Sequence, residues 1–160
     1  HNGPIHIRLT GAPGFPLIYP NNFDFKLGKA IEYRPGDDVA IIATGSVLWE
    51  AIQAADILEK KGISVRIIDM HTVKPIDTKM LDSVFAQNKL IVPVEEHSII
   101  GGLGAAVAEY KAGFTNMPKQ SMCGLSDSFK KIGNYKFQLK ENGLVAEDIA
   151  EKVEKNLNSN

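Results

Sequence analysis

The chain has 160 residues, 44% of them hydrophobic and 23% charged, with a formal net charge of −1. This composition fits one soluble globular domain of ordinary size and excludes disordered, collagen-like and membrane classes. Eighteen basic residues against nineteen acidic ones create no field for a polyanion, so neither nucleic acid nor an anionic membrane is expected as a partner. The single Cys123 can form no internal disulfide and no apolar run approaches the roughly 18 residues of a membrane span, so the cytoplasm is the expected location.

His1-Asn2-Gly3-Pro4 provides neither an initiator Met nor the features of a signal peptide, which reads as a piece of a longer chain. Ile5-His6-Ile7-Arg8-Leu9 alternates as a strand does, and one strand cannot fold without neighbours. The Gly- and Pro-rich stretch from Thr10 to Pro20 suppresses helix and central strand. Residues 1–9 are therefore expected to complete a sheet in a missing domain, 10–35 to act as a linker, and 36–160 to form the domain proper.

Within that domain Val39-Ala40-Ile41-Ile42-Ala43 reads as a strand buried on both faces. Gly45-Ser46 turns the chain into a helix with Leu48, Ala51, Ile52, Ala55 and Leu58 inside and Gly62 as its C-terminal stop. Ser46 is the expected N-cap, with anion binding as the alternative. A second strand at Val65–Ile68 leads to a helix capped by Asp77, with Leu81, Val84 and Phe85 inside. The third strand, Leu90–Val94, contains Pro93, which removes a ladder donor and predicts an edge or irregular C-terminal end.

Gly101 to Gly104 opens a helix with Leu103, Ala106, Val107 and Tyr110 on one face, and Gln120–Cys123 suggests a fourth strand. The signal is weak from there to Asn142-Gly143, which turns the chain into a last helix from Ala146 to Leu157. Alternating strands and helices predict a three-layer α/β/α fold with a mostly parallel sheet. Ligands of such sheets bind beyond the carboxyl ends of the strands. Here those ends are Thr44-Gly45-Ser46, Asp69-Met70-His71 and Glu95-Glu96-His97.

Ser46, His71, Glu96, His97, Gly101 and Gly102 are thus the candidate ligand-binding residues. Glu95-Glu96-His97 could bind metal only against its geometry, because adjacent residues of an extended chain point to opposite sides and no HExxH or Cys/His pair accompanies them; no metal site is expected. His97 is a candidate for proton transfer, since an imidazole titrates near neutrality, although a surface or interface role is the simpler reading. The glycines at 101, 102 and 104 could admit a phosphate to a helix N-terminus, but they form no GxGxxG fingerprint, and packing explains them equally well. Cys123 has no activating neighbour in sequence, and GxSxG is absent.

Taken as a set, Gly36–Ser46, Ile68-Asp69-Met70-His71-Thr72-Val73-Lys74-Pro75-Ile76-Asp77 and Val94-Glu95-Glu96-His97 through Gly101-Gly102-Leu103-Gly104 resemble the C-terminal domain of transketolases, and most closely the C-terminal subunits of split transketolases. The resemblance runs from Gly3 to about Leu157. It implies that Gly3–Leu9 is the last strand of a pyrimidine-binding domain whose body is missing. It also implies thiamine diphosphate and Mg²⁺ in the full enzyme, held by other domains, with no cofactor and no catalytic residue on this chain, which would be inactive by itself. The implied partner is the rest of the enzyme, in cis or as a subunit, within a homodimer.

The implied activity is two-carbon ketol transfer between sugars, to which this domain contributes structure, dimer interface or effector binding. The C-terminal domains of 1-deoxyxylulose-5-phosphate synthase and of 2-oxo-acid dehydrogenase β subunits share the architecture, and a non-catalytic effector or interaction domain is the alternative of another class. Many relatives place an Arg that contacts a sugar phosphate shortly after the first strand, where this chain has Thr10-Gly11-Ala12. Either another residue binds the phosphate or the ketose is not phosphorylated in the usual place. Val145 stands where a Ser or Thr cap is usual, so the last helix is expected to fray.

Overall fold

A computed structural model describes residues 2–8, 14, 16–19 and 23–159. In chain order the elements are β1 (Ile31–Arg34), β2 (Val39–Thr44), a 3₁₀ turn (Gly45–Val47), α1 (Leu48–Glu59), β3 (Val65–Asp69), α2 (Thr78–Gln87), β4 (Leu90–Ser98), α3 (Leu103–Lys111), β5 (Lys119–Gln120), β6 (Cys123–Leu125), α4 (Tyr135–Glu141) and α5 (Ala146–Asn158). The strand order is β1-β3-β2-β4-β5, with β6 also paired to β4. Every pairing is parallel except that of β1 with β3.

Alternation along the strands builds two cores. Val39, Ile41, Val65, Ile67, Val92 and Val94 face α1 and α5, where they meet Ala51, Leu58, Ile149 and Val153. Ala40, Ile42, Ile68 and Ile91 face α2 and α3, where they meet Leu81, Val84, Leu103 and Val107. The three-layer α/β/α fold expected from the sequence is thus present, because strands apolar on both faces must be covered on both. No helix among the described residues is long and apolar enough to cross a membrane.

Residues 5–8 pair with no strand among the described residues, and Ile5 and Ile7 are exposed; the sheet expected for them belongs to another domain. Leu9 and Thr10-Gly11-Ala12 lie outside the described residues. The structure departs from the sequence reading at other points. The sheet begins inside the segment read as a linker, where β1 pairs antiparallel with β3, Ile31 opposite Asp69. Its attachment is partly ionic, since Glu32 accepts from the buried Arg66 at 2.6 Å, so apolar periodicity could not reveal it.

Pro93 lies within an internal strand, opposite Ile42 of β2, and not at an edge, while the pairing of β4 with β6 beyond it is irregular between Val94 and Ser98, as the other arm of the expectation had it. On the other flank β5 pairs as far as Ile91 and β6 resumes at Val94, so Pro93 meets the break between them. This lets β4 continue to Ser98 and carry Glu95, Glu96 and His97 on the strand itself. The expected fourth strand at Gln120–Cys123 is two short strands, and α4 occupies the stretch where the sequence signal was weak.

Candidate functional site

Beyond the carboxyl ends of β2, β3 and β4 lie the residues singled out from the sequence. Alternation along β4 sends Glu95 and His97 toward α3 and Glu96 toward α4. Glu95 is buried, which the surface reading of this cluster did not anticipate. Its Oε2 accepts the Leu103 N–H at 2.6 Å and its Oε1 the Gly104 N–H at 2.8 Å. A full negative charge therefore sits on the positive end of α3 and satisfies amides that the helix leaves unpaired.

The glycines follow from that contact. A Cβ at Gly102 would lie 1.9 Å from Glu95 Oε2 and 2.9 Å from His97 Nδ1, and one at Gly104 would lie 3.3 Å from Glu95 Oε1. The glycine-rich start of α3 thus fits closely around the protein's own carboxylate. It does not fit a diphosphate, whose place and amides Glu95 has taken. Gly101 has φ +77° and open space around its Cα, so it serves the turn.

His97 is exposed. Its Nδ1 donates to the Ser98 carbonyl at 3.0 Å and lies 4.0 Å from Glu95 Oε2. On the opposite face the Tyr135 hydroxyl donates to Glu96 Oε1. Burial, then the Glu96 carboxylate, pushes the Tyr135 phenol up, with Ser46 as a further hydrogen-bonding neighbour that opposes the shift. Ser46 lies in the 3₁₀ turn and the N-cap position of α1 is Val47, which corrects the expectation that Ser46 is the N-cap. Nearby, Glu50 Oε2 accepts the Ala146 N–H at 2.8 Å. The last helix therefore has a cap from α1 in place of the one Val145 cannot supply.

His71 belongs to a separate group across β2, roughly 10 Å from the β4 cluster by strand spacing. Thr72 Oγ1 accepts the Gly28 N–H at 3.2 Å and shares a hydrogen bond with His71 Nδ1 at 2.9 Å, while His71 Nε2 is buried with no hydrogen-bond partner among the described residues. The Phe25 ring covers the imidazole at 4.4 Å between centroids. Tyr19 donates to Asp69 Oδ2 at 2.9 Å, and burial raises the Asp69 carboxyl above its usual range.

The six candidates are thus split: Gly102 and His97 meet at Glu95, Ser46 and Glu96 meet at Tyr135, Gly101 turns the loop between β4 and α3, and His71 packs under Phe25. Sequence reasoning missed Glu95, Glu50 and Tyr135 as structural partners. A signal existed for Glu95, since it shares parity with the buried Ile91 on a strand followed by Gly102-Leu103-Gly104. Among the described residues no group of three or more His, Cys, Asp or Glu side chains could hold a metal ion. Cys123 is buried, and burial raises its thiol.

Comparison with known proteins gives this geometry its context. Residues 28–149 match the family model described as transketolase, C-terminal domain. The chain is 38% identical over 155 residues to a putative transketolase C-terminal section of Methanocaldococcus jannaschii, covering 96% of this chain and 48% of that protein. It is 35% identical over 153 residues to a 1-deoxy-D-xylulose-5-phosphate synthase of Chlorobium phaeovibrioides, covering 95% of this chain and 24% of that protein. A solved split gene transketolase, described as an inactive beta4 tetramer, superposes with a TM-score of 0.84 at 35% identity, covering 90% of this chain and 47% of that one. The chain therefore spans about half the length of the first of these relatives, or less of others, and it belongs to the transketolase C-terminal domain family.

Proposed function

We propose that this chain is the C-terminal portion of a thiamine-diphosphate-dependent transketolase that moves a two-carbon ketol unit between sugars, and that it contributes structure and interface while the chemistry lies on other domains. The observation that carries the division of labour is Glu95: the glycine-rich helix start that could have received a phosphate is filled by a side chain of the same domain. The cofactor supplies the carbanion chemistry when bound. In this reading residues 1–9 belong with a pyrimidine-binding domain in cis or on a partner subunit, the full enzyme is a cytoplasmic homodimer, and this chain by itself is inactive.

Assayed by itself, the chain should turn over no ketose and give no saturable heat with thiamine diphosphate and Mg²⁺. Supplied with the remaining half of the enzyme, it should restore transfer from a ketose to an aldose. Turnover by the isolated chain would overturn the assignment of chemistry to the other half.

The synthase relative favours a second enzymatic reading, a 1-deoxyxylulose-5-phosphate synthase, which the same assembly would reveal by consuming pyruvate and glyceraldehyde 3-phosphate. For the carboxyl edge, Ser46, Glu96, Gly102 and His71 serve internal contacts and Gly101 serves the turn, whereas the exposed His97 is the position left for a ligand. Saturable heat with a nucleotide or sugar phosphate, abolished by His97→Asn, would make effector binding the leading role.

A further inference from the structure

The loop of residues 126–134, between β6 and α4, presents Phe129 and Ile132 fully exposed. It is nevertheless tied down. Lys130 Nζ donates to Ser126 Oγ at 2.5 Å, the Ser126 and Ser128 hydroxyls are 3.1 Å apart, and Ser128 N donates to the Ser126 carbonyl at 2.9 Å. Gln138 Nε2 reaches the Lys131 carbonyl at 2.5 Å, and Lys131 pairs with Glu141 at 2.8 Å. Asn134 caps α4 through the Phe137 N–H at 2.9 Å, and a Cβ on Gly133 would lie 2.1 Å from the Phe137 ring.

The neighbouring loop continues this surface. Ile99 N donates to the Leu125 carbonyl at 3.0 Å, which sets the turn bearing the exposed Ile100 beside the start of the 126–134 loop. A single exposed apolar side chain needs no explanation. Two fully exposed ones within four residues of a fixed backbone, with a third on the adjoining loop, form a presented patch. Because the backbone is already ordered, little conformational entropy remains to be lost on docking.

Resting on the transketolase reading, we propose that Phe129 and Ile132, with Lys130 between them, dock this chain onto the polypeptide that supplies the other half of the enzyme, in an apolar pocket rimmed by carboxylates. The relatives' length indicates that such a polypeptide exists, since this chain accounts for 48% of the transketolase section it matches. Charge indicates its character: Lys130 donates to a serine hydroxyl and has no carboxylate partner among the described residues. A second copy of this chain fits less well, because a twofold contact centred on this loop would set Lys130, which has no carboxylate partner among the described residues, against its own image. A membrane surface fits less well too, since Asp127 shares the loop and the basic cluster falls short of the four or more charges, on the order of magnitude seen in lipid-binding segments.

The test places a benzophenone side chain at position 129 in the native assembly, with a second label at exposed Glu151 as control, and assays two-carbon transfer on the same preparation. The expected result is a cross-link from position 129, and none from 151, to polypeptide outside residues 1–160, at a pocket containing Asp or Glu. In the same assembly the 126–134 amides should exchange hydrogen at least tenfold more slowly in the wild type than in F129A/I132A, whose fully exposed sites leave the fold intact. A cross-link confined to residues 1–160, to a second copy or to lipid would overturn the proposal, as would equal exchange in wild type and variant. Absence of transfer activity beside the expected cross-link would overturn the transketolase reading and leave the docking surface standing.

Discussion

The carboxylate of Glu95 accepts the backbone N–H of Leu103 at 2.6 Å, so the strand that leads to the candidate edge also caps the helix that follows it. Glu95→Gln keeps the shape but loses the charge and one acceptor oxygen, and should destabilise the protein by about 1–3 kcal/mol; Glu95→Ala leaves both amides unpaired and should cost more. Urea unfolding of the two variants checks the order.

Gly102→Ala and Gly101→Ala separate contact from conformation. At Gly102 the added Cβ would strike a buried carboxylate, which must leave its hydrogen bonds, whereas at Gly101 it meets open space and only the positive φ costs, about 1–2 kcal/mol. Thermal unfolding should therefore show Gly102→Ala as the more harmful change. Equal losses would mean that the Glu95 carboxylate relaxes freely.

Glu50 replaces the missing local cap of α5. Removing it as Glu50→Ala should cost about 1 kcal/mol, the usual value of an N-cap. Val145→Thr, which is harmless to the shape of the site, should recover part of that loss in the double variant and little in the wild-type background. A thermodynamic cycle over the four proteins reads the coupling.

Two aspartates carry opposite pH signs. Burial raises the Asp69 carboxyl, with the Tyr19 hydrogen bond and His71 opposing, so its contribution is fully present below the unfolded value near about 4 and is lost as pH rises through the folded value. Asp38 is held low by the Lys89 ammonium at 2.9 Å and the Ser64 N–H at 3.0 Å, so its contribution is present above the unfolded value and lost as pH falls through the folded one. Near neutral pH Asp69→Asn should thus be neutral or stabilising and Asp38→Asn destabilising, with both differences shrinking toward acid. Unfolding midpoints across pH 3 to 7, roughly the carboxylate range and above it, supply the check.

The Cys123 thiol is raised by burial despite Lys152, so the native protein should resist iodoacetamide at neutral pH and react once unfolded. Alkylation followed by mass at increasing urea measures this.

The amino-acid sequence determined what depends on neighbours a few residues apart: the apolar run of β2, the faces of α1 and α5, the Asp77 cap that reaches Met80 N at 3.3 Å, and the three-layer fold that these require. Tertiary structure decided what depends on partners far along the chain. Glu50 caps Ala146 from 96 positions away, Glu32 anchors β1 through Arg66 from 34, and Pro93 is tolerated because a separate segment leaves a break opposite it. The same division governs the candidate edge. Its residues were legible as strand ends, but which of them face outward was settled by Glu95 folding back onto α3, a contact between a charge and two amides that has no periodicity to betray it.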